Sequence, residues 1–149
     1  MINRLLSCFL LVSLGSCMTS QQPAVWTEAT LEAPSDTILW DVTRLSLEKT
    51  GFPIGTGLER GKLIAVSGWQ TSLAPFKSDG FRERAHIHYV QEGDRKYSVK
   101  VRVERETNED IMHPLDLSYA EWKSAPDNTT RANIVLGYIK ATLGPELKK

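Results

Sequence analysis

The run His86-Ile87-His88 sets two imidazoles two residues apart. On a strand that spacing places both rings on one face, about 7 Å from each other, and paired imidazoles suit zinc, copper or nickel. A third ligand would have to come from Glu104, Glu106 or His113. The same parity carries a second chemistry. Arg82 and Arg84 precede the histidines, and Lys100 and Arg102 follow on the next strand-like run. Guanidinium forks match carboxylates and phosphates, so this set reads as a binding face for an acidic partner: a protein patch, lipid A phosphates or an anionic wall polymer.

Nucleophilic chemistry has little to stand on. Ser67 and Ser72 lack the Gly-x-Ser-x-Gly setting of a nucleophile elbow. Asp110, His113 and Asp116 could form a hydrolytic set on paper, but they lie in one irregular segment with no supporting motif. The chain has no phosphate loop, dinucleotide fingerprint or Cys-x-x-Cys. These readings favour a non-catalytic binding module without a cofactor. A metal-binding or metal-dependent periplasmic protein using His86 and His88 is the alternative.

The elements that would position these residues are legible. In FRERAHIHYV, Ala85, Ile87 and Tyr89 alternate with Arg82, Arg84, His86 and His88; in KYSVKVRVERE, Tyr97, Val99, Val101 and Val103 alternate with Ser98, Lys100, Arg102 and Glu104. Each run is a strand with one dry and one wet face, and QEGDR between them makes a hairpin. Setting Tyr89 across from Tyr97 pairs Ile87 with Val99 and Ala85 with Val101. His86 then opposes Lys100, which disfavours a cation, and Arg84 opposes Arg102. Like charges directly across a sheet repel, so that juxtaposition asks for an offset: Glu104 and Glu106 locally, as a solvated ladder of ion pairs, or an acidic partner.

Around the hairpin, SDTILWDVTRLSLEKTGF predicts a helix from a Ser35 or Asp36 cap to Gly51, with an apolar stripe of Ile38, Leu39, Val42 and Leu45. KLIAVSGWQTSL predicts a strand broken by a bulge at Ser67-Gly68. A fourth short strand is expected near Leu115 to Tyr119. Asp127-Asn128-Thr129 caps a last helix whose apolar face is Val135, Tyr138, Ile139 and Leu143, stopped by Gly144-Pro145. Trp40, Trp69 and Trp122 read as core or domain-edge aromatics. The expected class is α+β: two layers, an antiparallel sheet of three to four strands, one helix before it and one after.

The 149 residues are 41% hydrophobic and 24% charged, with 18 basic and 18 acidic side chains. That balance argues against a nucleic-acid partner. Both cysteines, Cys8 and Cys17, fall in the first 17 residues, so the remaining chain must be stable without disulfides. Arg4 followed by a short apolar run is laid out as an export signal and is too short to span a bilayer.

Leu14-Gly15-Ser16-Cys17 resembles the lipobox of bacterial lipoproteins. The resemblance implies removal of residues 1–16 and acylation of Cys17, hence a membrane partner through a lipid anchor. Met18, rather than Asp, follows the cysteine, which in such proteins points to the outer membrane, facing the periplasm. Residues 17–34 then read as lipidated N-terminus and flexible tether, with Trp26 packed on the domain or, alternatively, resting at the bilayer interface; 35–144 as one α+β domain; 145–149 as a tail. The element order resembles, without a shared motif, the small α/β domains of envelope lipoproteins such as BamC or LptE, which implies an assembly-accessory role.

Overall fold

The computed structural model describes residues 22–55, 57–73 and 80–144. The lipobox with Cys17, the export signal, Pro145 and the tail lie outside the described residues. Among the described residues, seven strands and two α-helices follow in the order β1 (Thr27–Glu32), α1 (Asp36–Lys49), β2 (Gly57–Glu59), β3 (Ile64–Val66), β4 (Gln70–Ser72), β5 (Phe81–Gly93), β6 (Lys96–Asn108), β7 (Trp122–Ala125) and α2 (Thr129–Leu143). All pair antiparallel in one sheet of order β1-β6-β5-β3-β2, with β4 also on β5 and β7 also on β6. The α+β class holds. The strand count exceeds the expected three to four because Thr27–Glu32 also forms a strand, KLIAVSGWQTSL divides into β3 and β4, and β2 and β7 are too short to show periodicity.

Three further expectations are corrected. The segment Thr27–Glu32, read as tether, is β1, and Val99 and Val101 of β6 pair with its Ala29 and Thr27; the domain therefore begins before residue 35. The fourth strand is Trp122–Ala125, while Leu117–Tyr119 is a single 3-10 turn capped by Asp116. The hairpin register differs by two residues: Tyr89 faces Val99, Ile87 faces Val101 and Ala85 faces Val103. A two-residue turn at Asp94-Arg95, with Arg95 at φ 58°, and an irregularity between Gln91 and Gly93 place the reversal beyond the expected centre. A two-residue shift keeps every side chain on its face, so the hydrophobic pattern could not exclude it.

Ala85, Ile87, Val99, Val101 and Val103 form the floor of the core, all fully buried. α2 covers β6 and β1, and α1 packs beside it. Helix α1 turns Leu39, Val42, Thr43, Ser46 and Leu47 inward and leaves Ile38 and Leu45 exposed. The buried stripe is thus rotated from the one expected, because Thr43 and Ser46 satisfy their hydroxyls on the Leu39 and Val42 carbonyls and so tolerate burial. Helix α2 likewise buries Ala132, Val135, Leu136 and Ile139 and exposes Tyr138.

The expected break at Ser67-Gly68 is present. Ser67 Oγ accepts from the Ala85 N–H at 2.9 Å, and the Gly68 N–H donates to the Pro53 carbonyl at 2.8 Å. The crossing chain comes so near that a Cβ on Gly55 would lie 2.6 Å from the Gly68 nitrogen. Trp69 leaves this kink toward the opposite face of the sheet, the face without helices.

Candidate functional site

The sheet face opposite the two described helices is built by the even-numbered residues of β5 and β6, which the strands hold in register from Phe81–Thr107 to Gln91–Tyr97. Arg82 lies across from Glu106, Arg84 from Glu104, His86 from Arg102 and His88 from Lys100. The expected clash between Arg84 and Arg102 is therefore absent. Arg82 Nε donates to Glu106 at 2.6 Å, Arg84 Nε to Glu104 at 2.6 Å and Arg102 Nε to Asp127 at 2.7 Å. The Lys100 ammonium stands 3.4 Å from Glu28 of β1. All four basic residues expected to bind an acidic partner are each matched to a carboxylate of the same chain, and the face is charge-balanced.

Tryptophans interleave with these pairs. The Arg82 guanidinium sits 4.4 Å from the ring centre of Trp69 and 4.7 Å from that of Trp122, and Arg84 lies 4.5 Å over Trp69. Cation–π contacts of this kind are worth about 0.5–1 kcal/mol each at exposed sites. At the other end of the row, Trp26 packs at 4.7 Å on the His88 ring, so Trp26 belongs to the domain as expected. Trp69 and Trp122 are half-buried edges of this layer rather than core. Ile64 and Val66 of β3, paired with His88 and His86, add apolar area to the same face.

The histidines do not form a bidentate metal clamp with a third ligand: among the described residues no three His, Cys, Asp or Glu side chains converge. His86 Nε2 is 2.9 Å from Glu104. Burial holds the His86 imidazole below its usual pKa, outweighing Glu104 and reinforced by Arg84 and Arg102. The contact is thus a neutral N–H donated to a carboxylate at neutral pH. Burial also lowers His88. Glu104 is held below the usual carboxylate range: burial opposes this, but hydrogen bonds from Arg84 and His86 prevail.

The paper hydrolytic set comes together differently. Asp110 Oδ1 accepts from the Met112 and His113 N–H groups, and its Oδ2 lies 3.3 Å from His113 Nδ1. Asp116 accepts from the Ser118 N–H at 2.9 Å and from its hydroxyl at 2.6 Å. Both carboxylates are held ionised by the bonds they receive, Asp110 from the Met112 N–H first and Asp116 from the Ser118 side chain first. The hydroxyl of Ser118 points to Asp116 and not to His113, so the group organises a loop and presents no activated nucleophile.

One polar cluster escaped the sequence reading. Glu83, 1% exposed, lies on the core face beside α2. It accepts from Arg131 Nη1 at 3.0 Å and from Asn128 Nδ2 at 2.8 Å, with Arg105 at 3.6 Å. Arg131 also donates to Gln70 Oε1 and to the Thr50 carbonyl, both at 2.6 Å, and stacks on Phe52. Asn128 meanwhile caps α2 by accepting from the Arg131 N–H. The available signal was parity: Glu83 shares the core side of β5 with Ala85 and Ile87, where a lone carboxylate demands a buried cation.

No protein-family model matches the chain, and no curated protein matches it significantly.

Proposed function

We propose that the chain is a lipid-anchored bacterial envelope protein, a non-catalytic binding or assembly-accessory module that engages its partner with the helix-free face of the sheet. The anchoring half rests on Leu14-Gly15-Ser16-Cys17 following an export signal. The binding half rests on one observation: Arg82 is held between Trp69 and Trp122 on a half-exposed face that neither described helix covers. Trp and Arg dominate the energetics of protein interfaces. Here their geometry is set in advance by the hairpin and by Glu104 and Glu106, so little side-chain freedom is lost on contact.

The pairing of every basic residue shifts the preferred partner. A bare cationic face would select an anionic polymer by charge alone. A neutral lattice of guanidinium, carboxylate and indole suits a protein surface of the envelope that can match both stacking and hydrogen bonds.

The test is photo-crosslinking from intact membranes with the full-length chain carrying a probe on this face, at Thr71. Capture of a discrete envelope protein that is lost in Trp69→Ala and Trp122→Ala supports the reading. Capture that survives both, together with Arg84→Glu, overturns the assignment of the face. Intact-mass measurement tests the anchor separately: an unacylated Cys17 removes it.

A further inference from the structure

Between β6 and β7 the chain inverts the usual arrangement of a surface loop. Ile111 is 82% exposed, Met112 78%, Leu115 61%, Leu117 55% and Tyr119 57%. Large apolar side chains clustered this way on a monomer mark an interaction site. The loop is also built rather than loose. Its neck is closed by Asn108, whose Oδ1 accepts from the Asp110 N–H at 3.0 Å and the Glu121 N–H at 2.9 Å, and by the Glu109 N–H donating to the Glu121 carbonyl at 2.9 Å. Beyond the neck, Asp110 and Asp116 accept hydrogen bonds from backbone and side-chain donors of the loop. The His113 ring stacks on Tyr119 at 4.4 Å. These bonds fix the shape of the loop, with the five apolar side chains exposed alongside His113, Asp116 and Ser118.

The position of the loop says what should meet it. β1 runs antiparallel to β6, with Thr27 across from Val101, and Val25 donates its N–H to Asp127 at 2.8 Å, where the chain passes Val103. Traced backward from Thr27, the chain heads toward the Asn108 end of β6, the end that carries the loop. From Val25 to Cys17 is eight residues, a reach of at most about 28 Å. The turn at Asp94-Arg95 lies at the far end of a strand pair about 40 Å long. Val25 itself stands level with Val103, nearer the loop end than the turn end, and the chain leaves it heading toward the loop, so a lipid on Cys17 favours the loop end of the domain.

We infer that the 111–119 loop inserts Ile111, Met112, Leu115, Leu117 and Tyr119 into the interfacial layer of the membrane that holds the anchor, fixing the orientation of the domain on the bilayer. This rests on the anchoring reading given above. The side chains suit that layer: aliphatic groups enter the acyl boundary and the Tyr119 hydroxyl stays at headgroup level. Glu109, Asp110, Asp116 and Glu121 surround the neck, so a zwitterionic lipid surface is favoured over a strongly anionic one. Insertion orients the sheet so that its helix-free face looks sideways along the membrane, toward other envelope proteins.

The experiment uses the full-length chain processed in a lipoprotein-exporting bacterium, where the mature protein holds no thiol but the acylated one. Met112→Cys and, as control, Asp94→Cys are each labelled with an environment-sensitive fluorophore and reconstituted in phosphatidylethanolamine–phosphatidylcholine vesicles containing lipids spin-labelled near the headgroup. Quenching several-fold stronger at position 112 than at 94 is expected, and it falls when Ile111 and Leu115 are changed to Ser. Equal quenching at the two positions overturns the proposal, as does protection of position 112 only when envelope proteins are added, which would assign the loop to a protein groove. Should the intact mass show Cys17 unmodified, the anchoring reading fails on its own. Flotation of that chain with the same vesicles then decides the loop: partition lost in Ile111→Ser/Met112→Ser supports it, and unchanged partition overturns it.

Discussion

Arg84 of β5 donates its Nε–H to Glu104 of β6 at 2.6 Å, directly across the strand pair. Cross-strand pairs of opposite charge stabilise by a few tenths to about 1 kcal/mol, and like charges cost a similar amount. Arg84→Glu should lower unfolding free energy by about 1 kcal/mol, and the exchange Arg84→Glu/Glu104→Arg should recover most of it. A double-mutant cycle by denaturant unfolding measures the coupling, and no recovery in the exchanged protein would contradict this register.

Glu83 makes a sharper prediction. Its carboxylate is enclosed by Arg131 and Asn128. Glu83→Ala leaves Arg131 without its counter-charge at the edge of the core and should cost about 3 kcal/mol. Replacing both partners by apolar residues, Glu83→Leu with Arg131→Met, should cost less than the single change. Equal losses in the single and double variants would show that Arg131 gains nothing from Glu83.

The histidines give the domain a pH dependence of defined sign. Burial lowers the pKa of His86 and of His88 in the folded state, while the unfolded chain titrates near the ordinary value of about 6.5. Above that value both states are neutral and the stability is complete. As the pH falls through it, the unfolded chain takes up protons first, so stability drops until the folded imidazoles protonate as well. The denaturation midpoint should fall between neutral and mildly acid pH, and His86→Gln/His88→Gln should flatten the slope. Below the ordinary carboxylate range a second loss should follow as Glu104 protonates. A midpoint that rises on mild acidification would contradict the burial of the imidazoles.

β1 should be indispensable. It supplies Leu31 to the core and hydrogen-bonds the outer edge of β6. A chain beginning at Ser35 exposes that edge together with Val99 and Val101, and an open apolar edge favours association. Such a chain should be less stable by at least about 3 kcal/mol and should self-associate, whereas one beginning at Gln22 should unfold cooperatively as a monomer. Equal stability of the two would return Thr27–Glu32 to the role of a tether.

The sequence by itself determined which face of each long strand is dry, where the two helices start and stop, and that His86, His88, Arg82, Arg84, Lys100 and Arg102 share one surface. These are local properties: an alternation of period two and a cap need only neighbours a few residues away. It also contained the lipobox-like run at Cys17. The tertiary structure alone decided the pairing. A shift of two residues conserves every face, so hydrophobicity could not choose between Arg84 against Arg102 and Arg84 against Glu104. Charge complementarity and the two-residue turn chose the second. The partners Asp127, Glu28 and the indoles of Trp26, Trp69 and Trp122 arrive from segments distant in the chain. Short strands such as β7 form only because β6 offers an unpaired edge to complete. That is why the sequence left open whether Glu104 and Glu106 or an acidic partner offsets the basic face, and only the folded pairing makes it a neutral lattice of ion pairs and tryptophans.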